Sequence, residues 1–88
     1  MAAQRRHENS RSMIYLIEAF DRGSGFLAFE IELPSGSERT IKTIMGWTAE
    51  QEGWEGYDLS HGQLGALEKL LGKEIYNPAY KFQLSCNV

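Results

Sequence analysis

Residues 13–33 read MIYLIEAF, then DRGSG, then FLAFEIEL: two apolar runs of strand length either side of a polar turn that carries two glycines. That pattern specifies a β-hairpin, because side chains alternate across a strand and a short glycine-bearing loop lets the chain reverse. With Asp21–Gly25 as the loop, Phe20 faces Phe26, and the two-residue period fixes every other partner. One face then holds Ala19 with Leu27, Ile17 with Phe29, Tyr15 with Ile31, and Met13 with Leu33. The other holds Phe20 with Phe26, Glu18 with Ala28, Leu16 with Glu30, and Ile14 with Glu32. The first face is suited to a core and the second stays partly wet. A one-residue slip would carry Glu30 and Glu32 into the core, so the facing is strongly specified. A lone hairpin is marginal in water, and its apolar face requires a cover.

The rest of the chain supplies that cover. Pro34 ends the second strand. Ser35 with Glu38 forms a capping-box pattern, and Gly46 a C-terminal stop, so a short helix is expected over roughly 36–45 with Ile41, Ile44 and Met45 on one side. A second capping box, Ser60 with Gln63, opens a helix running to Leu71 before Gly72, with Leu64, Leu67, Leu70 and Leu71 on one face. Gly62 and Gly65 weaken that helix, at about 1 kcal/mol each relative to alanine. They are tolerated by its leucine face, or else allow close backbone approach. After Asn77-Pro78, the segment YKFQLSC alternates, with Tyr80, Phe82, Leu84 and Cys86 on one side. The expected fold is α+β in the order β-β-α-α-β: a three-stranded antiparallel sheet with two helices on one face. The third strand is placed beside the first, the more uniformly apolar of the pair, with the edge beside the second as the open alternative.

Eighty-eight residues suffice for one small domain, taken as residues 13–88 after a polar leader, 1–12, expected to be disordered. Arg5, Arg6 and Arg11 against Glu8 give that leader a net charge of +2, and the remainder, with six basic and eleven acidic residues, is at −5. An acidic body argues against direct nucleic-acid binding and for a basic partner. No apolar run reaches the roughly 20 residues of a membrane span, and no apolar segment of a secretory signal precedes Ile14. The single cysteine, Cys86, fits a reducing cytoplasm.

Catalytic and metal chemistry find little footing, and neither enzyme activity nor a cofactor is expected. Cys86 lies on the inward side of a strand, where a buried thiol is the simplest reading. Asp58 and His61 lack a third metal ligand in sequence. Glu18, Glu30 and Glu32 share the wet face of the hairpin without an enclosing pocket. Gly23-Ser24-Gly25 joins antiparallel strands and lacks the helix and lysine of a phosphate loop. The segment WTAEQEGWEGYD, 47–58, is more distinctive: four acids, three large aromatics and no basic residue, read as a loop. Trp47, beside a helix stop, belongs to the core edge. Glu50, Glu52, Trp54, Glu55, Tyr57 and Asp58 form a candidate partner-binding surface, with Trp54 and Tyr57 exposed, and Glu30 and Glu32 form a second patch.

A compact acidic chain with YLIEAFDRGSGFLAFEIELP, a helix ending in Met45-Gly46-Trp47 and a closing strand resembles the small bacterial immunity proteins encoded beside contact-dependent growth-inhibition and related polymorphic toxins. The resemblance spans 13–88. It implies a cytoplasmic antitoxin that binds the C-terminal domain of its cognate toxin, often a nuclease with a basic substrate groove, and covers its active site. It carries over no individual binding residues. The same surface would equally serve an acidic interaction module or regulatory subunit unrelated to toxins. A small enzyme using Glu18, Glu30 and Glu32 or His61 would need a pocket that gathers them.

Overall fold

The computed structural model describes residues 13–47 and 56–87. Its elements are β1 (Ile14–Asp21), β2 (Leu27–Glu32), α1 (Glu38–Met45), β3 (Gly56–Asp58), α2 (His61–Leu71) and β4 (Tyr80–Asn87). The class is α+β as expected, but the sheet has four strands, in the order β2-β1-β4-β3, and every pairing is antiparallel. β1 is central, with β2 on one side and β4, the closing strand, on the other. The added strand, β3, is the end of the segment read from sequence as loop. Three residues are too few to show a period, and Gly56 argues against a strand. Pairing with β4 makes it one, through Gly56 with Ser85, Tyr57 with Leu84 and Asp58 with Gln83.

The hairpin keeps the expected facing but not the expected partners. Ile17 meets Ile31, Ala19 meets Phe29, and Glu18 meets Glu30. Two one-residue changes produce this. The turn closes tighter, with the Asp21 amide donating to the Phe26 carbonyl at 2.9 Å and Gly25 at φ 80°. A bulge then sets Phe20 opposite Leu27 but Ala19 opposite Phe29, leaving Ala28 as the extra residue. Either change alone would send the apolar set to the wrong side, whereas together they restore it. Leu27, between the two, is the exception and emerges on the outer face.

One cluster forms the core. Tyr15, Ile17, Ala19 and Leu33 from the hairpin and Phe82, Leu84 and Cys86 from β4 are buried with Ile41 of α1 and Leu64 and Leu67 of α2. Both helices therefore cover the same sheet face. Ala19 is small enough for Phe29 and Tyr80 to meet across it, ring edge to face at 5.4 Å. Trp47 packs at the core edge against Tyr15 and Tyr57, with centroids 6.3 and 4.8 Å away.

The helix ends show which capping signals operate. Ser60 and Gln63 form the full box: the Gln63 amide donates to Ser60 Oγ at 3.1 Å, and the Ser60 amide to Gln63 Oε1 at 2.9 Å. Gly46 and Gly72 both close their helices in the left-handed conformation. The Ser35–Glu38 box does not form. Gly36 turns at φ 82°, so the helix begins after Ser37, whose buried hydroxyl donates instead to the Pro34 carbonyl at 2.6 Å. Gly62 and Gly65 have open space where a side chain would start, which favours simple tolerance over close approach. No helix among the described residues is long and apolar enough to cross a membrane.

Candidate functional site

With both helices on one face, the other face of the sheet has no described element over it. Alternation along each strand puts Ile14, Leu16, Glu18 and Phe20 of β1 on this outer face, with Glu30 and Glu32 of β2, Lys81, Gln83 and Ser85 of β4, and Asp58 of β3. The pairings line these up in transverse rows. One row runs Glu30, Glu18, Gln83, Asp58 across all four strands. The next begins with Glu32 beside Leu16 and Ser85. Glu18 and Glu30 stand directly opposite each other, an arrangement that opposes folding because like charges at cross-strand separation repel.

Compensation within the face is partial. Gln83 Nε2 donates to Asp58 Oδ1 at 2.9 Å, and Lys81 Nζ lies 3.6 Å from the same oxygen. The Lys81–Asp58 pair is well exposed, so its contribution is small. The surface also carries apolar area toward the turn. Leu27, opposite Phe20, is 46% exposed there, while Ile14, at the other end of β1, is 42% exposed; Phe26, 76% exposed, lies beyond β2 opposite Asp21, on the other parity. The turn itself is rigidified by Asp21, whose Oδ1 accepts the Gly23 amide at 2.8 Å and the Ser24 amide at 2.9 Å. The Ser24 amide first, then the Gly23 amide, holds the Asp21 carboxyl below its ordinary value. The arrangement is a carboxylate band beside exposed aliphatic side chains on an open sheet face.

The expected site residues divide between places. Glu30 and Glu32 lie on this face, and both are exposed. Asp58 joins them through β3, which merges the two patches anticipated separately. Tyr57, expected to be exposed, points to the helix side, half-buried against Trp47. Glu50, Glu52, Trp54 and Glu55 lie outside the described residues. Leu27 and Gln83 do not stand out from sequence as site residues. Gln83 could have been found from the alternation of YKFQLSC, but Leu27 could not, because the tighter turn and the bulge on either side of it turn it outward. Cys86 is fully buried. His61 stacks on Tyr76 at 4.6 Å and lines a surface cleft with Arg22, Asp58, Tyr80 and Lys81, apart from the Glu18–Glu30 pair. No group of three or more His, Cys, Asp or Glu gathers as a metal site among the described residues.

A family model described as a domain of unknown function, DUF7683, matches residues 14–85. The chain belongs to that family. The matched span takes in the hairpin, both helices and nearly all of β4, so the acidic outer face lies within the DUF7683 domain. No curated protein and no solved structure matches the chain.

Proposed function

We propose that this DUF7683 domain is a binding protein for a basic protein surface, acting as the cytoplasmic immunity partner of a toxin domain whose substrate groove it covers. The observation that carries the reading is the Glu30–Glu18–Gln83–Asp58 row with Glu32 beside it, on a sheet face left open next to Leu27. Opposed carboxylates oppose folding of the free protein and become favourable when cations from a partner fill the space between them. Leu27 supplies apolar contact area at the margin, and the carboxylates steer association. The toxin assignment draws on the resemblance to immunity proteins, while binding to a basic surface draws on the face itself. The activity is inhibition by occlusion rather than catalysis.

Co-expression with the neighbouring open reading frame tests the reading. Growth rescue and co-purification are expected, with affinity that falls steeply as salt rises. The triple variant Glu18→Lys, Glu30→Lys, Glu32→Lys should lose both while remaining folded. Undiminished rescue and affinity in that variant would remove the outer face from the mechanism.

A further inference from the structure

The outer edge of β2 carries the same acidic residues in a second role. In an antiparallel ladder, directly opposed residues alternate between those that exchange backbone hydrogen bonds and those whose amides and carbonyls point away from the partner. The Leu33 amide donates to the Tyr15 carbonyl at 2.8 Å, which makes Tyr15–Leu33 a bonded pair. By alternation, Ile17–Ile31 and Ala19–Phe29 are bonded too. Glu30 and Glu32 fall between them, so their backbone N–H and C=O groups point outward from the sheet. β2 is an edge strand, and no described strand pairs with that side. The opposite edge, β3, has three described residues.

We infer that the free edge of β2 accepts an extended strand from the partner, one with basic side chains at alternate positions. The inference rests on the reading of the outer face as an acidic binding surface and specifies how that surface is engaged. Glu30 and Glu32 each present an outward amide and carbonyl together with a carboxylate on the outer face. A strand added there places its own alternate side chains in the row beside Glu30 and Glu18. Lysine or arginine at those positions would extend the row with the opposite charge. A second copy of the chain fits less well. Antiparallel β2–β2 pairing centred on Ile31 sets Glu30 against Glu32 of the other copy at both ends, and like charges directly opposed repel. The glutamates thus guard the edge against self-pairing and select a basic strand.

The probe is a synthetic peptide of alternating lysine and valine, with a control of the same sequence N-methylated at alternate residues along one edge. Amide hydrogen exchange of the wild-type protein is followed residue by residue. On saturation with the unmodified peptide, the Glu30 and Glu32 amides should slow by about tenfold or more, because they pass from solvent to a ladder bond. The methylated peptide should leave them unchanged. Glu30→Pro, which removes an amide that the β1–β2 ladder does not use, should weaken peptide binding about tenfold more than Glu30→Gln does. Equal binding of both peptides, without protection at Glu30 and Glu32, would overturn strand addition and leave the acidic-face reading intact. Failure of both peptides to bind at low salt would overturn the two together.

Discussion

Glu18→Lys is the most informative single substitution, because one side chain bears on both stability and the proposed function. Glu18 sits between Glu30 on β2 and Gln83 on β4. Residues opposed in this way have Cβ atoms about 4.5–5.5 Å apart. Two carboxylates about 6 Å apart repel by about 0.7 kcal/mol at the dielectric constant of water. Lysine replaces that repulsion with an attraction of similar size, and side-chain ordering and screening reduce the sum. The expected gain is about 0.5–1 kcal/mol, with Glu18→Gln giving about half. For a domain of this size that raises Tm by about 3–6 °C. Thermal unfolding followed by circular dichroism, at low salt and at about 1 M salt, provides the assay. The gain should shrink at high salt, where the Debye length falls to about 3 Å. Partner affinity should fall in the same variant. A lower Tm, or a gain that survives high salt, would refute the electrostatic account of the row.

Three further outcomes test the framework that carries the face. Asp21→Ala should destabilise the turn at neutral pH: the folded carboxyl lies below its ordinary value, so its contribution is present above the unfolded pKa and lost as pH falls through the folded one. Unfolding midpoints of wild type and Asp21→Ala should therefore converge in acid. Glu68 Oε2 accepts the Ile75 and Tyr76 amides, both at 2.8 Å, so Glu68→Ala should cost about 1–2 kcal/mol and speed exchange of those two amides. Deleting Ala28 should leave a folded domain that melts cooperatively, since Phe20–Leu27 and Ala19–Phe29 then follow one another without a bulge, whereas deleting Glu30 should abolish cooperative melting by disrupting the facing of β2.

The sequence made facing legible and register illegible, for a definite reason. Burial depends on parity, and parity was written in Tyr15, Ile17, Ala19, Phe29, Ile31 and Leu33. Register depends on where the turn closes and whether a bulge intervenes. Neither the Asp21–Phe26 hydrogen bond nor the extra Ala28 leaves a mark in hydrophobic pattern. The helix stops at Gly46 and Gly72 were readable because left-handed closure favours glycine. The false capping box at Ser35 arose because a second serine two residues later holds the chain in a different turn. At the candidate site, Glu30 and Glu32 were legible from alternation. Asp58 reads from sequence as part of a loop, and only pairing with β4 shows that it shares their face.

The register difference also changes what the acidic residues mean. With Phe20 opposite Phe26, Glu18 would have faced Ala28, while Glu30 and Glu32 would have faced Leu16 and Ile14. Each carboxylate would have stood beside an apolar neighbour, an unremarkable wet strand face. The tighter turn and the bulge bring Glu18 and Glu30 together and rotate Leu27 outward. Two local backbone features, the tighter turn and the extra Ala28, thus concentrate negative charge and expose apolar surface on the same side of the sheet. Repulsion within the row opposes folding of the free domain, and cations from a partner would relieve it. The cost in stability and the capacity to bind then have one origin, and this is why a substitution at Glu18 should move them in opposite directions.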